Sequence, residues 1–417
     1  MKMSVFGEKF TAKSGILELM DDLGKAVAGS EKVCMLGGGN PARIDQVQAV
    51  WQEKLEGLLK NGALGDALVS YDTPQGRQVF LEAVASLLKE NFGWDIGPEN
   101  VAVTNGSQPA FFILFNLFAG TDARGVKKKI LFPLCPEYIG YADQGIEEGL
   151  FSTCPAAIQE IDGFSFKYRV DFSKLEITDD IGAVCVSRPT NPTGNVISDD
   201  EMAQLSVLAE KAGVPLFVDN AYGAPFPGII FEDVNPFWNE NTVISMSLSK
   251  IGLPSVRTGI IVARPEIIEA VSSCNAIINL ANVNIGQVLT EELFRTSEIL
   301  DISRNLVMPF YKDKSDTAQD LIRKYMPIEV DYRVHKSEGA IFLWIWFRNL
   351  SITTMELYER LKKRKVIVVP GEYFFFGLDE DWEHSRQCIR INYSQCHDSV
   401  EEGIRIIAEE AAAAVKE

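Results

Sequence analysis

The chain has 417 residues, of which 46% are hydrophobic and 24% charged, an ordinary globular balance with room for two packed domains. Its net charge of −18 argues against general binding to nucleic acids or anionic membranes, which both require positive surface. The seven cysteines are dispersed without a CxxC pair, and there are only three histidines. We therefore expect no disulfide framework, no metal site and a reducing compartment, the cytoplasm.

The sequence predicts neither a targeting segment nor a membrane-spanning segment. Residues 1–15 carry several charges and lack an apolar stretch, so we expect no signal peptide. The longest apolar run, residues 340–347, is far too short to cross a bilayer and is more typical of a buried strand.

Short β-rich runs alternate with helical patterns before Met308, which predicts a mainly parallel α/β sheet. Ser198 and Glu201 form a capping box that opens a predicted helix to about Ala212, and Pro109 suits the first turn of a helix over residues 109–118. The predicted strands are almost continuously apolar, as in a sheet covered on both faces, and comprise residues 101–104, 129–132, 181–187, 214–219, 242–247 and 259–263.

The pattern changes after Met308 and predicts a smaller α+β domain. Its predicted strands are residues 340–347, 366–369 and 388–393, flanked by helices over residues 354–365 and 398–415. The first forty or so residues have no strand pattern of their own, so we expect them to pack with this domain. The predicted organisation is an N-terminal segment (1–45), a large domain (46–308) and a small domain (309–417).

Lys250 follows an apolar strand, and its amine could form a Schiff base with a cofactor aldehyde. The hydroxyls of Ser247 and Ser249 and the guanidinium of Arg257 could hold a phosphate nearby. The alternatives are a surface lysine after a strand and an arginine in an ordinary salt bridge.

A second phosphate contact is predicted where Gly106, Ser107 and Gln108 join a strand to a helix, because N–H groups at a helix start attract anions. The alternative is a plain helix N-cap. Tyr138 lies after the next predicted strand and could stack on a cofactor ring, although a packed loop aromatic is an equal alternative.

Asp219 ends an apolar strand, where a carboxylate is costly unless it is paired. A protonated pyridine nitrogen would pair with it and keep the ring an electron sink. Tyr222 and Asn191 could bind the phenolic oxygen of that ring, and Arg390, within another apolar strand, could bind a substrate carboxylate. The alternatives are an N-cap for Asp219, a turn at Asn191 and an internal acidic partner for Arg390.

Together these residues supply the parts needed to hold pyridoxal phosphate, and their order resembles that of the fold-type I pyridoxal-phosphate aminotransferases. The similarity runs from about Gly37 to the C-terminus. One departure is Ser255-Val256 before Arg257, where the family usually has a glycine. The pattern is Tyr71-x-x-Pro74-x-Gly76, Gly106-Ser107-Gln108, Tyr138, Asn191-Pro192-Thr193-Gly194, Asp219-x-x-Tyr222, Ser247-x-Ser249-Lys250, Arg257 and Arg390.

The resemblance implies a large domain with a mainly parallel seven-stranded sheet flanked by helices, and a small α+β domain. It also implies a homodimer with active sites at the subunit interface, where Tyr71 would reach the partner's cofactor phosphate. Lys250, Asp219 and Tyr222 would be catalytic, and Gly39, Asn191 and Arg390 would bind the substrate. The cofactor would be held by these catalytic residues together with Gly106, Ser107, Gln108, Tyr138, Asn191, Ser247, Ser249 and Arg257.

The implied activity is amino-group transfer between a small neutral amino acid and a 2-oxo acid, passing through pyridoxamine phosphate. Residues 36–42, 187–195 and 225–231 resemble members that act on valine and pyruvate, so valine, alanine or 2-aminobutyrate and pyruvate or 2-oxoisovalerate are the expected substrates. Another aminotransferase or a β-lyase or decarboxylase would use the same ring site. A regulator with a DNA-binding module ahead of such a domain is disfavoured by the short stretch before Gly37 and the negative charge.

Overall fold

The computed structural model describes residues 2–12, 14–15, 17, 19–21, 24 and 33–416. Its strands, numbered in chain order, are β1 (Cys34–Met35), β2 (Val101–Thr104), β3 (Gly120–Thr121), β4 (Lys127–Cys135), β5 (Phe151–Pro155), β6 (Ala157–Glu160), β7 (Ser165–Arg169), β8 (Ile181–Ser187), β9 (Leu216–Asp219), β10 (Thr242–Ser247), β11 (Gly259–Val262), β12 (Tyr332–His335), β13 (Phe342–Phe347), β14 (Val366–Ile367), β15 (Val369–Pro370) and β16 (Cys388–Asn392).

The α-helices whose bounds are described surround these strands. They are α1 (Val5–Phe10), α2 (Asp45–Lys60), α3 (Ala63–Val69), α4 (Gln78–Phe92), α5 (Ser107–Phe118), α6 (Asp199–Ala212), α7 (Pro265–Asn279), α8 (Ile285–Arg295), α9 (Glu298–Ile302), α10 (Met308–Tyr325), α11 (Thr354–Lys363) and α12 (His397–Lys416). A π-helical turn, Ser303–Val307, joins α9 to α10. Across the described residues, no helix is both long and apolar enough to cross a membrane.

The large sheet has the order β2-β11-β10-β9-β8-β4-β3, and β5 also pairs with β4. β11 runs antiparallel to both of its neighbours, and β3 forms a short antiparallel pairing with β4. The remaining pairings are parallel. Without the two-residue β3, the sheet has the seven mainly parallel strands that were expected.

Successive residues of the large sheet enter two different hydrophobic clusters, so both faces are covered. Phe217 and Val243 pack with Phe111 of α5, whereas Val218 and Ile244 belong to the larger core cluster on the other face. This alternation follows from the two-residue period of a strand. It confirms the expectation drawn from the continuous apolar runs.

A second sheet has the order β15-β16-β13-β12-β7-β6. β6 and β7 form an antiparallel hairpin from residues 157–169, which lie within the predicted large domain. β1 pairs in parallel with β14, so residues 34–35 lie beside the later part of the chain. The domain boundaries stay a prediction, and residues 25–32 of the predicted N-terminal segment are outside the described residues.

Several predicted element bounds differ from the structure by a few residues. The helix expected over residues 109–118 begins at Ser107, so Pro109 is its third residue. The helix expected over residues 354–365 ends at Lys363, and Lys365 takes a left-handed φ of 64°. The strand expected over residues 366–369 is divided into β14 and β15. The capping box of Ser198 and Glu201 is present as predicted.

The carboxyl ends of the central strands meet at one edge of the large sheet. Asp219 is paired in register with Ser187 of β8 and Ser245 of β10, and Gly259 with Thr104 and Ser247. Ligand sites in sheets of this kind form beyond such carboxyl ends. The predicted cofactor residues after β2, β8, β9 and β10 are thereby brought to one place.

Candidate active site

The start of α5 and the loop before β11 form a compact anion cradle. Gly106 has a φ of 99°, and a Cβ there would lie 2.2 Å from Nη2 of Arg257. Arg257 Nη2 donates to the carbonyl of Asn105 at 3.3 Å. Ser107 Oγ is buried and has no hydrogen-bond partner among the described residues. A cation, an unpartnered hydroxyl and the N-terminus of a twelve-residue helix thus converge.

The serines before Lys250 lie on the same loop. Ser247 Oγ donates to Ser249 Oγ at 3.0 Å and accepts from the Ser249 N–H at 3.1 Å. Gln108 Nε2 donates to the Gly140 carbonyl at 2.9 Å, and the part of Gln108 in cofactor binding stays a prediction. That bond ties α5 to the loop that carries Tyr138.

Asp219 is buried at the end of β9, as expected. Its carboxylate accepts hydrogen bonds from the Tyr141 hydroxyl and, at 2.8 Å, from the Ala221 N–H. Burial raises the pKa of Asp219 to about 6, while Tyr141, Ala221 and the Lys250 ammonium act to lower it. A positively charged ligand nitrogen beside this carboxylate would compensate for its burial.

Tyr138 packs its ring edge-to-face on Tyr141, with centroids 5.1 Å apart. The neighbouring Glu137 is buried and joins this loop to β8, because its carboxyl accepts from the Tyr138 N–H and from both the N–H and the hydroxyl of Ser187. Burial raises the pKa of Glu137 to about 8. Glu137 therefore links two strand ends at the site.

Arg390 of β16 is buried in the second sheet and faces the first. Its Nη1 donates to Asn191 Oδ1 at 2.6 Å, and its Nη2 donates to the Gly37 carbonyl at 2.6 Å. The guanidinium lies over the Phe342 ring, 4.2 Å from the centroid, and its buried Nε has no partner among the described residues. Among the described residues, none of its hydrogen-bond partners is an acidic side chain, which leaves the cation available for an anionic ligand.

Lys250 lies between these groups. Its Nζ donates to the Gly39 carbonyl at 2.6 Å and lies 5.2 Å from the ring centroid of Tyr222. Burial, followed by the positive charges of Arg390 and Arg257, lowers the pKa of Lys250 to about 8, and Asp219 acts in the opposite direction. A substantial fraction of the amine is therefore neutral near physiological pH, as a nucleophilic lysine requires.

The structure brings most predicted site residues together within one chain. Tyr71 is the exception, because its side chain is 84% exposed on the surface of the chain. Tyr222 is buried, and burial raises the pKa of its phenol, so it remains a hydrogen-bond donor at neutral pH. The roles of all these residues remain predictions.

Pyridoxal phosphate fits the residues present. The unpartnered Ser107 hydroxyl and Arg257 suit its phosphate, and the buried Asp219 suits a protonated ring nitrogen. Asn191 and Tyr222 suit the phenolic oxygen, and the neutral amine of Lys250 suits the aldehyde. Within the described residues, no cluster of histidine, cysteine or acidic side chains could hold a metal ion.

No role was predicted from the sequence for Tyr141, Glu137, Asn392 or Ser394. The only indication of a site role for Tyr141 in the sequence is that it follows Tyr138 by one helical turn. Asn392 shares the face of β16 with Arg390, since the period of a strand is two, and Ser394 lies two residues past the end of that strand. Nothing in the sequence around Glu137 indicates what it contacts.

Comparison with known proteins agrees with this geometry. Residues 31–407 match the family model "Aminotransferase class I and II". The chain is 51% identical to the valine–pyruvate aminotransferase of Escherichia coli (strain K12) over 410 residues, covering 98% of each protein. It also resembles the crystal structure of valine-pyruvate aminotransferase AvtA from Salmonella typhimurium LT2, with 48% identity, a TM-score of 0.89 and coverage of 96% of this chain and 100% of that one.

A putative amino-acid aminotransferase from Psychrobacter arcticum 273-4 has a similar structure, with a TM-score of 0.97, 44% identity and coverage of 100% of this chain and 99% of that one. The family match, the fold and the arrangement around Lys250 all lead to the same conclusion. The chain belongs to the class I and II aminotransferases, which depend on pyridoxal phosphate and act on amino and 2-oxo acids.

Proposed function

We propose that this protein transfers the amino group of L-valine to pyruvate and catalyses the reverse reaction with alanine and 2-oxoisovalerate. The main support for this proposal is the position of the Lys250 amine beside Gly39, in a site where the Arg390 guanidinium has no acidic hydrogen-bond partner among the described residues. The name of the relative with 51% identity supports this choice of substrates. The same site would accept 2-aminobutyrate, because one methylene changes binding by only about 1–3 kcal/mol in an apolar pocket.

Pyridoxal phosphate, when bound, supplies an aldehyde that links to amines and a ring that accepts the electrons left when the α-proton departs. Lys250 would hold the cofactor through its Nζ. Once released, the Nζ would take the proton from the substrate Cα and pass it to the cofactor, and in the second half of the reaction it would deliver a proton to the Cα of the 2-oxo acid. Its pKa of about 8 suits both tasks, since the amine is readily exchanged between its neutral and charged forms.

The other site residues would bind and orient the cofactor and the substrate. Asp219 binds the ring nitrogen and holds its proton, and Tyr222 and Asn191 bind the phenolic oxygen. Ser107, Ser249 and Arg257 hold the phosphate, and Tyr138 covers a ring face. Arg390 binds the carboxylate common to amino and 2-oxo acids, which fixes the Cα near Lys250.

We also propose a homodimer in which Tyr71 completes the partner's phosphate site. Apolar side chains are exposed around Tyr71 and at the end of α7, notably Val69 and the 87% exposed Ile277. These two segments adjoin, because Asn284 Nδ2 donates to the Ser70 carbonyl at 3.0 Å and Asn275 and Asn282 both donate to Pro74 O. An apolar surface of this kind is typical of a subunit interface. The dispersed cysteines support a cytoplasmic location.

The function is tested by the visible absorption spectrum of the purified protein. We expect the band of the bound cofactor aldehyde to disappear with L-valine and to return with pyruvate, while alanine appears as product. Lys250→Ala should lack the covalent band. A band that ignores valine and alanine would overturn these substrates, and release of ammonia or carbon dioxide would identify a β-lyase or a decarboxylase instead.

A further inference from the structure

Residues 37–40, here called the glycine strip, cross the site between β1 and α2 with their carbonyls bound. Each of these carbonyls, and that of the preceding Leu36, accepts from a different donor group, so every residue of the strip is fixed separately. The carbonyl of Leu36 accepts from the Asn392 N–H (2.7 Å), that of Gly37 from Arg390 Nη2 (2.6 Å), that of Gly38 from Asn392 Nδ2 (2.5 Å), that of Gly39 from Lys250 Nζ (2.6 Å) and that of Asn40 from Ser394 Oγ (2.9 Å).

Two of these donors, Asn392 and Ser394, have no part in the chemistry proposed above. Both are buried, Asn392 completely. The Asn392 amide cannot be reversed without loss, because its Oδ1 accepts the Ser394 N–H at 2.6 Å and only its Nδ2 can then face Gly38. Asn392 follows Arg390 on the same face of β16, and Ser394 lies two residues beyond the end of that strand, so three donors follow one another along the strip.

The strip needs outside bonds to take one conformation. Three consecutive glycines lose more backbone freedom on folding than other residues, and they have no side chains to anchor them. Their N–H groups donate to no other described residue. Since their carbonyls accept from Arg390, Asn392 and Lys250, these N–H groups are left for a ligand that lies beside Arg390 and Lys250.

We propose that Asn392 and Ser394 are positioning residues that hold the glycine strip in register with Arg390 and thereby set the affinity for the substrate carboxylate. This inference rests on the proposed amino-acid and 2-oxo-acid substrates of the same site. The amino acid and the oxo acid share the carboxylate, so both should depend equally on the strip. Proton transfer at Lys250 does not involve these two residues.

Steady-state kinetics of the holoenzyme provide the first test. Ser394→Ala removes one hydroxyl–carbonyl bond, whose net value corresponds to roughly a 2- to 10-fold change. Asn392→Ala removes the amide–carbonyl bond to Gly38 and also the bond that Oδ1 accepts from the Ser394 N–H, so its effect should be at least as large. We expect KM to rise by about that factor for both valine and pyruvate, with a smaller change in kcat. Ser394→Thr, which keeps the hydroxyl, should restore KM.

Ser351→Ala is the matched control, because Ser351 Oγ also donates to a carbonyl, that of Ala414, far from the strip. It should leave both KM values unchanged. If Asn392→Ala does not fold, Ser394→Ala with its threonine rescue decides the question. A fall in kcat without a change in KM, or a change in KM for only one substrate, would overturn the proposal.

A second measurement does not depend on turnover. With the carboxylate inhibitor 3-methylbutanoate bound, so that the N–H groups of the strip have an acceptor, hydrogen–deuterium exchange of the holoenzyme should be faster over residues 36–42 in Ser394→Ala than in the wild type, and the Ser351→Ala control should not change it. The inhibition constant of 3-methylbutanoate, which keeps the carboxylate and lacks the amine, should rise with KM. If the wild type does not use valine, the proposed substrate fails, while unchanged exchange of the strip would refute the positioning role.

Discussion

Lys250 owes its reactivity to its surroundings in the folded chain. Burial and the charges of Arg390 and Arg257 both favour the neutral amine, and Asp219 opposes them only partly. The unfolded lysine keeps a pKa near 10.5, so the unfolded chain binds more protons than the folded chain between about pH 8 and 10.5. The contribution of this group to the free energy of unfolding therefore increases as the pH rises through that window.

The same shift predicts how the cofactor-free protein takes up pyridoxal phosphate. Since only the neutral amine attacks an aldehyde, the rate of uptake should rise with pH and level off above about 8. Arg257→Gln removes one of the two cations and should move the midpoint to higher pH. Stopped-flow absorbance across a pH series measures both midpoints, and a wild-type midpoint near 10 would contradict the proposed environment of Lys250.

Tyr141 is predicted to keep Asp219 ionised. Its hydroxyl bond is the main influence that lowers the pKa of this buried carboxyl, so Tyr141→Phe should raise that pKa further above about 6. Because a larger fraction of Asp219 would then be protonated, it would pair less well with a protonated ring nitrogen, and we expect cofactor affinity to fall roughly tenfold or more, the value of a hydrogen bond to a charged group. Titration of the cofactor-free protein by absorbance gives the dissociation constant.

Tyr325→Phe is the control for that change, because Tyr325 also donates to a carboxylate, that of Glu401, but on the outside of the second sheet's helices. Its cofactor affinity should match the wild type. An unchanged dissociation constant in Tyr141→Phe would show that Asp219 does not need this bond.

At the residue scale, the sequence predicts a role where polar side chains at the ends of apolar strands occur together with groups that match them chemically. Lys250 and Asp219 each have a structural alternative, and their roles, which stay predictions, follow from the order in which they occur with the other site residues. Tyr141 and Glu137 act on residues distant in the chain, Asp219 and Ser187, and only folding brings them together. Local patterns carry no information on such contacts.

Among the elements, the turn between β2 and α5 depends on one glycine. Gly106 has a positive φ, and a Cβ there would collide with Arg257. Gly106→Ala should therefore displace the guanidinium and weaken the binding of pyridoxal phosphate and of inorganic phosphate alike. Calorimetric titration with both ligands measures the loss.

Gly213→Ala is the control that separates the cost of a side chain at a positive φ from the displacement of Arg257. Gly213 ends α6 with a φ of 69°, and nothing lies within 4 Å of the added Cβ. It should lower the free energy of unfolding by about 1 kcal/mol without changing either dissociation constant. Equal binding losses in the two variants would mean that the cradle does not need Arg257 in its present place.

The elements that could be predicted were those whose hydrophobic pattern is decided locally. The central strands are buried on both faces, so they appear as unbroken apolar runs. The hairpin of β6 and β7 was missed because β6 is largely exposed and because β7 joins the second sheet by pairing with β12, which comes far later in the chain. The order of strands in that sheet depends on contacts between distant residues.

For the whole molecule, the site exists only because two sheets meet. The large sheet contributes Lys250 and Asp219, and the second sheet contributes Arg390, which reaches across to Asn191. The glycine strip joins them, since Lys250 binds one of its carbonyls and Arg390 another. A small change in the angle between the sheets would alter the distance between the carboxylate site and the amine.

If Tyr71 serves the partner's site, two inactive variants should restore each other. Co-expressed Tyr71→Ala and Lys250→Ala chains form mixed dimers in which one site has its own Lys250 and an intact Tyr71 from the other subunit. With random pairing, half of the dimers are mixed and each has one good site, so activity should return to roughly a quarter of the wild-type value. Valine–pyruvate transfer by the purified mixture measures it.

Lys250→Ala with Asp219→Ala is the control pairing, because both residues lie in the site of the same subunit and every site in a mixed dimer lacks one of them. No activity should return. The two mixtures together separate the alternatives, since the high exposure of Tyr71 fits either a surface residue without function or a contribution to a neighbour. Failure of the first mixture, with dimers confirmed by sedimentation, would assign Tyr71 to the surface and leave each site complete within its own chain.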